Sequence, residues 1–130
     1  MGYHIFLKDS KFDFKKGKLH ECYLAIQALH QGKGNDHYAW ADNTSVLSAT
    51  TLGEAFNAWR WGIVWDGIGG VERIEFNGEK YGDDDTLFDA IAPFVKSGSF
   101  IHMVGEDGEQ WRWHFNGKTC NKQSAKIVWK

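Results

Sequence analysis

The sequence predicts an α+β domain with a largely antiparallel sheet and about three helices, in the order β-α-α-β-β-α-β-β-β. Three observations carry this. The apolar period switches between two and about 3.6 along the chain without the regular strand-helix-strand alternation of a doubly wound parallel sheet. Near the C-terminus, Trp111, Trp113 and Phe115 alternate with Arg112 and His114 after the turn Glu106-Asp107-Gly108, which is a hairpin signature. At 130 residues, with no linker and no internal repeat, the chain has the length of one domain.

Tyr3, Ile5 and Leu7 alternate with His4, Phe6 and Lys8, the period of a strand with one buried face, and Asp9-Ser10 interrupts it. Leu19, Cys22, Tyr23, Ile26 and Leu29 then recur at helical spacing, so a helix is expected over residues 18–31, with Gly32 after it. Residues 32–49 are rich in Gly, Asn, Asp, Ser and Thr and keep neither period, which reads as a loop. Thr51 with Glu54 three residues on is a capping-box pattern, and Leu52, Ala55, Phe56 and Trp59 continue it as a short second helix ending near Trp61-Gly62.

Two short strands follow, residues 63–65 and 71–76, joined by Asp66-Gly67-Ile68-Gly69-Gly70. Asn77-Gly78 marks a turn, after which residues 79–81 could extend the sheet. Asp83, Asp84 and Asp85 precede Leu87, Phe88, Ile91, Phe94 and Val95; carboxylates suit a helix N-terminus, and Pro93 should bend or end the helix. The hairpin of residues 100–104 and 110–115 comes next. Ala125, Ile127 and Trp129 alternate in a final strand that completes a three-stranded meander.

Hydrophobic residues make up 42% and aromatics 15%, enough for a core without disulfides or metal. Cys22 and Cys120 lack the density and spacing of a disulfide framework and read as reduced thiols. The first eight residues lack the basic region and apolar run of a signal peptide, and no segment approaches 18 apolar residues, so the cytoplasm is the expected compartment, without a membrane partner. A net charge of -2 provides no broad positive field and argues against nucleic acid, although it leaves room for a local basic patch.

Each chemical motif has a plain structural competitor. The triplet Asp83-Asp84-Asp85 could hold a hard cation, but it lacks the alternating spacing and closing Glu of a calcium loop, and helix capping or solvation is preferred. His102 and His114, on neighbouring strands, could share a face and bind metal or move protons, though such a face is ordinarily the wet side of the sheet. Arg60 and Arg112 sit between tryptophans, yet alternation turns Arg112 away from Trp111 and Trp113. The glycines at 67, 69 and 70 do not make a dinucleotide fingerprint, because they lead into a strand. No catalytic residue, metal ligand or cofactor is assigned.

Seven tryptophans are many for this length. Trp111, Trp113 and Trp129 alternate on strands and are expected in the core. Tyr38 and Trp40 stand in a polar loop with no period to explain them and are the first candidates for a contact surface, followed by Trp61 and Trp65.

The stretch LFDAIAPFVKSGSFIHMVGEDGEQWRWHFNG, residues 87–117, together with the later AKIVW, resembles a segment of small bacterial proteins that have no assigned activity. The resemblance implies a self-contained small domain and carries over no functional residue. The expected function is that of a non-catalytic protein-interaction module, an inhibitor, adaptor or immunity-type protein, with a protein partner. The alternatives are a small enzyme built on His102, His114 and one of Asp83 to Asp85, or a module binding a carbohydrate or nucleobase through exposed tryptophan.

Overall fold

A four-stranded antiparallel sheet, a two-stranded hairpin beside it and four helices make up the computed structural model, which describes residues 4–33 and 37–125. Strand β1 (Ile5–Lys11) pairs with β4 (Phe100–Gly105), β4 with β5 (Gln110–Phe115) and β5 with β6 (Cys120–Ser124), giving the order β1-β4-β5-β6. The α+β architecture and the β4–β5 hairpin agree with the sequence. The strand at residues 5–11 runs through Asp9-Ser10 because a register shift between Leu7 and Asp9 absorbs the polar pair without ending the ladder.

Two elements differ from expectation. The meander closes on Cys120–Ser124, a polar and mostly exposed strand, while most of the anticipated final strand, including Trp129, lies outside the described residues. Edge pairing needs only backbone donors and acceptors, so this strand carries no apolar alternation for a sequence reading to detect. In addition, part of the presumed 32–49 loop folds as α2 (Asn43–Ser48), whose N-cap Asp42 accepts a hydrogen bond from Ser45 N at 3.1 Å.

The remaining helices follow local signals. Helix α1 (Leu19–His30) buries Cys22, Ile26 and His30. Thr51 Oγ1 accepts from Glu54 N at 3.1 Å to start α3 (Leu52–Ala58), and the Glu54 carboxylate reaches back to Thr50 N at 2.9 Å, one residue beyond a standard capping box. Helix α4 (Asp84–Ile91) passes into a 3-10 turn, Ala92–Phe94, at Pro93.

Strands β2 (Trp61–Trp65) and β3 (Val71–Phe76) form the separate hairpin. Residues 79–80 extend a different surface: Ile5 N donates to Glu79 O at 2.8 Å and Lys80 bridges His4. On one face of the larger sheet the described residues, among them Phe6, His102 and Arg112, are half-buried or exposed. Its other face is aromatic: Phe88 lies 4.7 Å from Trp113 between ring centroids, and Trp61 lies 5.2 Å from Phe88. Trp111, Trp113 and Phe115 are buried there as expected. No helix among the described residues is long and apolar enough to cross a membrane.

Candidate functional site

The face of α1 that carries Leu19, His20 and Tyr23 forms one wall of an apolar groove of about 460 Å³. The opposite wall is the segment Thr50 to Gly53, which opens α3, and Trp65 stands against it at the end of β2. The walls are fixed by hydrogen bonds: Tyr23 OH donates to Ala49 O, and Gln27 Nε2 donates to Val46 O at 3.0 Å and Ala49 O at 3.2 Å. A Cβ placed on Gly53 would lie 3.8 Å from Trp65 Nε1, so the indole closely approaches the helix start. Trp65 is 39% exposed and its ring leans on Phe14 at 6.1 Å.

Beyond Trp65 the chain turns through a braced tip. Asp66 Oδ1 accepts from Ile68 N at 2.8 Å and Gly70 N at 2.9 Å, and Asp66 N donates to Gly70 O. Gly67 and Gly69 adopt positive φ of 87° and 97°, which this tight turn requires. Ile68, 91% exposed, is thereby held out into solvent. The glycine-rich spacing signalled the turn; nothing in the sequence marked Ile68 as its presented side chain.

Trp40 belongs to a second surface. It is 56% exposed with φ of 64°, a left-handed conformation rare for a large side chain. Its loop is pinned where Ala39 N donates to Asp83 Oδ2 at 2.8 Å, and where Tyr38 packs against His30 at 5.1 Å and Trp59 at 5.3 Å. Tyr38 is thus half-buried structural support. The guanidinium of Arg60, itself at φ of 74°, lies between Trp40 and Phe76 at 5.6 and 5.1 Å. Trp40 thus contacts Arg60, the residue before β2, while Trp65 is the last residue of that strand.

Trp61, expected at the surface, lies in the core instead. It has 0% exposure: as the first residue of β2 it packs on Phe76, Phe88 and Trp113, and its Nε1 donates to Asp84 Oδ1 at 3.0 Å.

The aspartate triplet is likewise corrected. None of the three makes the expected side-chain cap; α4 has none. Asp83 holds the Trp40 loop. Asp84, buried, accepts from Trp61 Nε1 and Gly82 N and pairs with Arg60 at 3.1 Å. Asp85 accepts from Tyr81 OH and from Trp113 Nε1 at 2.6 Å. Three adjacent carboxylates thus tie α4 to three different elements. Burial, with Asp85 next, pushes the Tyr81 phenol well above its ordinary range, which keeps it a neutral donor.

His102 and His114 do share the outer face of the sheet, but they are not cross-strand partners: His102 pairs with Arg112 and His114 with Phe100. His102 Nε2 lies 2.8 Å from Gln110 Oε1. Asp85 contacts Trp113 on the inner face, so the sheet separates the histidines from the acid that reaches it. Among the described residues no group of three or more His, Cys, Asp or Glu is placed to hold a metal ion. Burial pushes the Cys22 thiol up to about 12, and burial followed by Asp89 and Asp85 pushes Cys120 up to about 12, so neither is a ready nucleophile.

Comparison with known proteins finds no matching family model, no matching curated protein and no matching solved structure. The geometry of the chain alone therefore carries the functional reading.

Proposed function

We propose that this chain is a non-catalytic protein-interaction module, of the inhibitor, adaptor or immunity type, that grips a protein partner with Trp65, Ile68 and the groove between α1 and α3. The observation that supports it most is Ile68: a β-branched apolar side chain almost wholly in water, on a turn whose backbone is already locked by Asp66. Exposing it costs stability that burial would supply, roughly 1.5–3 kcal/mol for a side chain of this size. Preorganised turns also bind with little ordering entropy left to lose. A half-exposed indole three residues before it, on the wall of an apolar groove, adds the kind of anchor that dominates protein interfaces.

A cytoplasmic setting and kinship with the small bacterial proteins belong to the same proposal. Support for the first is that both cysteines are free thiols. The groove also has the volume of a small-ligand site, which favours a carbohydrate or nucleobase module as the second reading.

The test is capture from host lysate on immobilised wild type and on Trp65→Ala and Ile68→Asp variants with unchanged circular dichroism and thermal midpoint. A stoichiometric protein held by wild type and lost by both variants is the expected result. Equal retention by the variants would overturn the groove assignment, and bait alone in the wild-type eluate would turn attention to small ligands of the same groove.

A further inference from the structure

Among the described residues no helix packs on the far face of the four-stranded sheet, and its composition is unlike that of the chain as a whole. Strand alternation and register place Phe6, Lys8, Lys11, Phe100, His102 and Arg112 on it, with His114 beside Phe100. No side chain on this face is buried, and Phe6 is 52% exposed. The cations are Lys8, Lys11 and Arg112. Among the described strand residues on this face the only acid is Asp9, whose Oδ1 already accepts from Ser10 N at 2.8 Å. The chain carries 17 acids against 15 Lys and Arg, so an excess of two positive charges here is a local inversion that the average hides.

Polar groups hold the planar side chains in place. Gln110 Oε1 receives Lys8 Nζ at 3.4 Å and lies 2.8 Å from His102 Nε2, and Arg112 Nε donates to Gln123 Oε1 at 2.6 Å. Acidic Glu106, Asp107 and Glu109 occupy the turn at one end of β4 and β5, which leaves Lys8, Lys11 and Arg112 on the strands themselves, with Asp9 in register with His102 between them.

We infer that this open sheet face binds single-stranded nucleic acid, with Lys8, Lys11 and Arg112 on phosphates and Phe6, Phe100 and the histidine rings as stacking surfaces for unpaired bases. Charge complementarity selects an anionic partner, and flat rings on an open sheet select one whose bases are free to splay onto it. A duplex hides its base faces and gains only the phosphate contacts. This inference does not rest on the groove reading: the groove belongs to the helical side, and an adaptor could use both surfaces at once.

The test is fluorescence anisotropy with an end-labelled 12-nucleotide oligouridine, its DNA counterpart and a duplex of the same length. Three phosphate contacts predict a log K against log salt slope of about −2 for the single strands. Arg112→Glu and Lys8→Glu should each weaken binding tenfold or more, Phe6→Ala several-fold, and the control Lys16→Glu, a like charge change in the turn before α1, should leave it unchanged. No salt-dependent binding, equal loss with Lys16→Glu, or preference for the duplex would overturn the inference. So would a dimer in light scattering that Arg112→Glu dissociates, since a second copy would then cover the face. Trp65→Ala and Ile68→Asp should leave oligonucleotide binding intact, which separates failure here from failure of the groove reading.

Discussion

Trp59 donates its indole N–H to His30 Nε2 at 3.0 Å, and His30 Nδ1 lies 2.9 Å from Asn43 Oδ1, so the buried imidazole is a neutral Nδ1–H tautomer with both nitrogens used. Asn43 in turn donates to Lys33 O at 3.0 Å, which links α1, α2 and α3 through one ring. Protonation would put a hydrogen on Nε2 facing the Trp59 N–H.

Burial holds the His30 pKa below its ordinary value, outweighing the Asn43 contact and the opposed effects of His37 and Asp42. The unfolded chain then takes up a proton near pH 6.5 that the folded chain refuses, so stability present above about 6.5 falls as pH drops. Urea unfolding should show a lower midpoint at pH 5 than at pH 7.5, with a smaller pH difference in His30→Gln. That variant should also lose about 1–3 kcal/mol at pH 7.5 through unsatisfied partners. A pH difference unchanged by the substitution would refute the assignment.

Asp84→Ala should be the most damaging single change near α4. It strands Arg60 and the Trp61 N–H in partly or fully buried positions, and breaking a buried pair costs about 3–5 kcal/mol. Denaturant unfolding would measure it. A loss under 1 kcal/mol would mean that water replaces the carboxylate.

Gly82 faces Trp40. A Cβ there would lie 2.7 Å from Trp40 Cδ1 and 2.9 Å from the Ala39 carbonyl, so Gly82→Ala should push the Trp40 loop away at a cost of about 1–3 kcal/mol. The shift should appear as changed Trp40 emission, read as the difference between Gly82→Ala and the same variant carrying Trp40→Phe.

Collisional quenching should separate the tryptophans. Trp40 and Trp65 are exposed, while Trp59, Trp61, Trp111 and Trp113 are buried. Replacing Trp40 and Trp65 together by Phe should remove most of the iodide-quenchable emission contributed by these six; an unchanged quenchable fraction would contradict the burial pattern.

Cys22 should react with a thiol reagent at pH 8 only on unfolding, since it is fully buried and its thiol is pushed up to about 12. Labelling at the rate of a free thiol in native buffer would mean that α1 opens locally.

Where short-range chemistry decides the structure, the sequence displays it. Thr51 caps α3 because a hydroxyl three residues before an amide has few better partners, and Trp111, Trp113 and Phe115 go inward together because a strand alternates. The candidate site was less legible. Spacing alone groups Trp61 with Trp65 at the surface, because the partners that bury Trp61, namely Phe88, Trp113 and Asp84, are more than 20 residues away in sequence. Asp84 looked like one more solvated acid, since the Arg60 that neutralises it is 24 residues away in sequence. The mixed face of the sheet needed the register of β1 on β4 before Phe6 and Lys11 could be placed opposite Val104 and Phe100.

That same register has a consequence for the order of assembly. The pairing of Ile5 with Gly105 joins positions a hundred residues apart, whereas β4, β5 and β6 are sequential neighbours joined by tight turns. During synthesis β1 leaves the ribosome with no ladder to join, and its Phe6 and Leu7 must wait until β4 has been made. The meander is the natural early nucleus, and docking of the N-terminal strand is a late, loop-closing event. An N-terminal fusion that holds this strand back should therefore slow completion of the sheet more than a fusion of equal size at the other end.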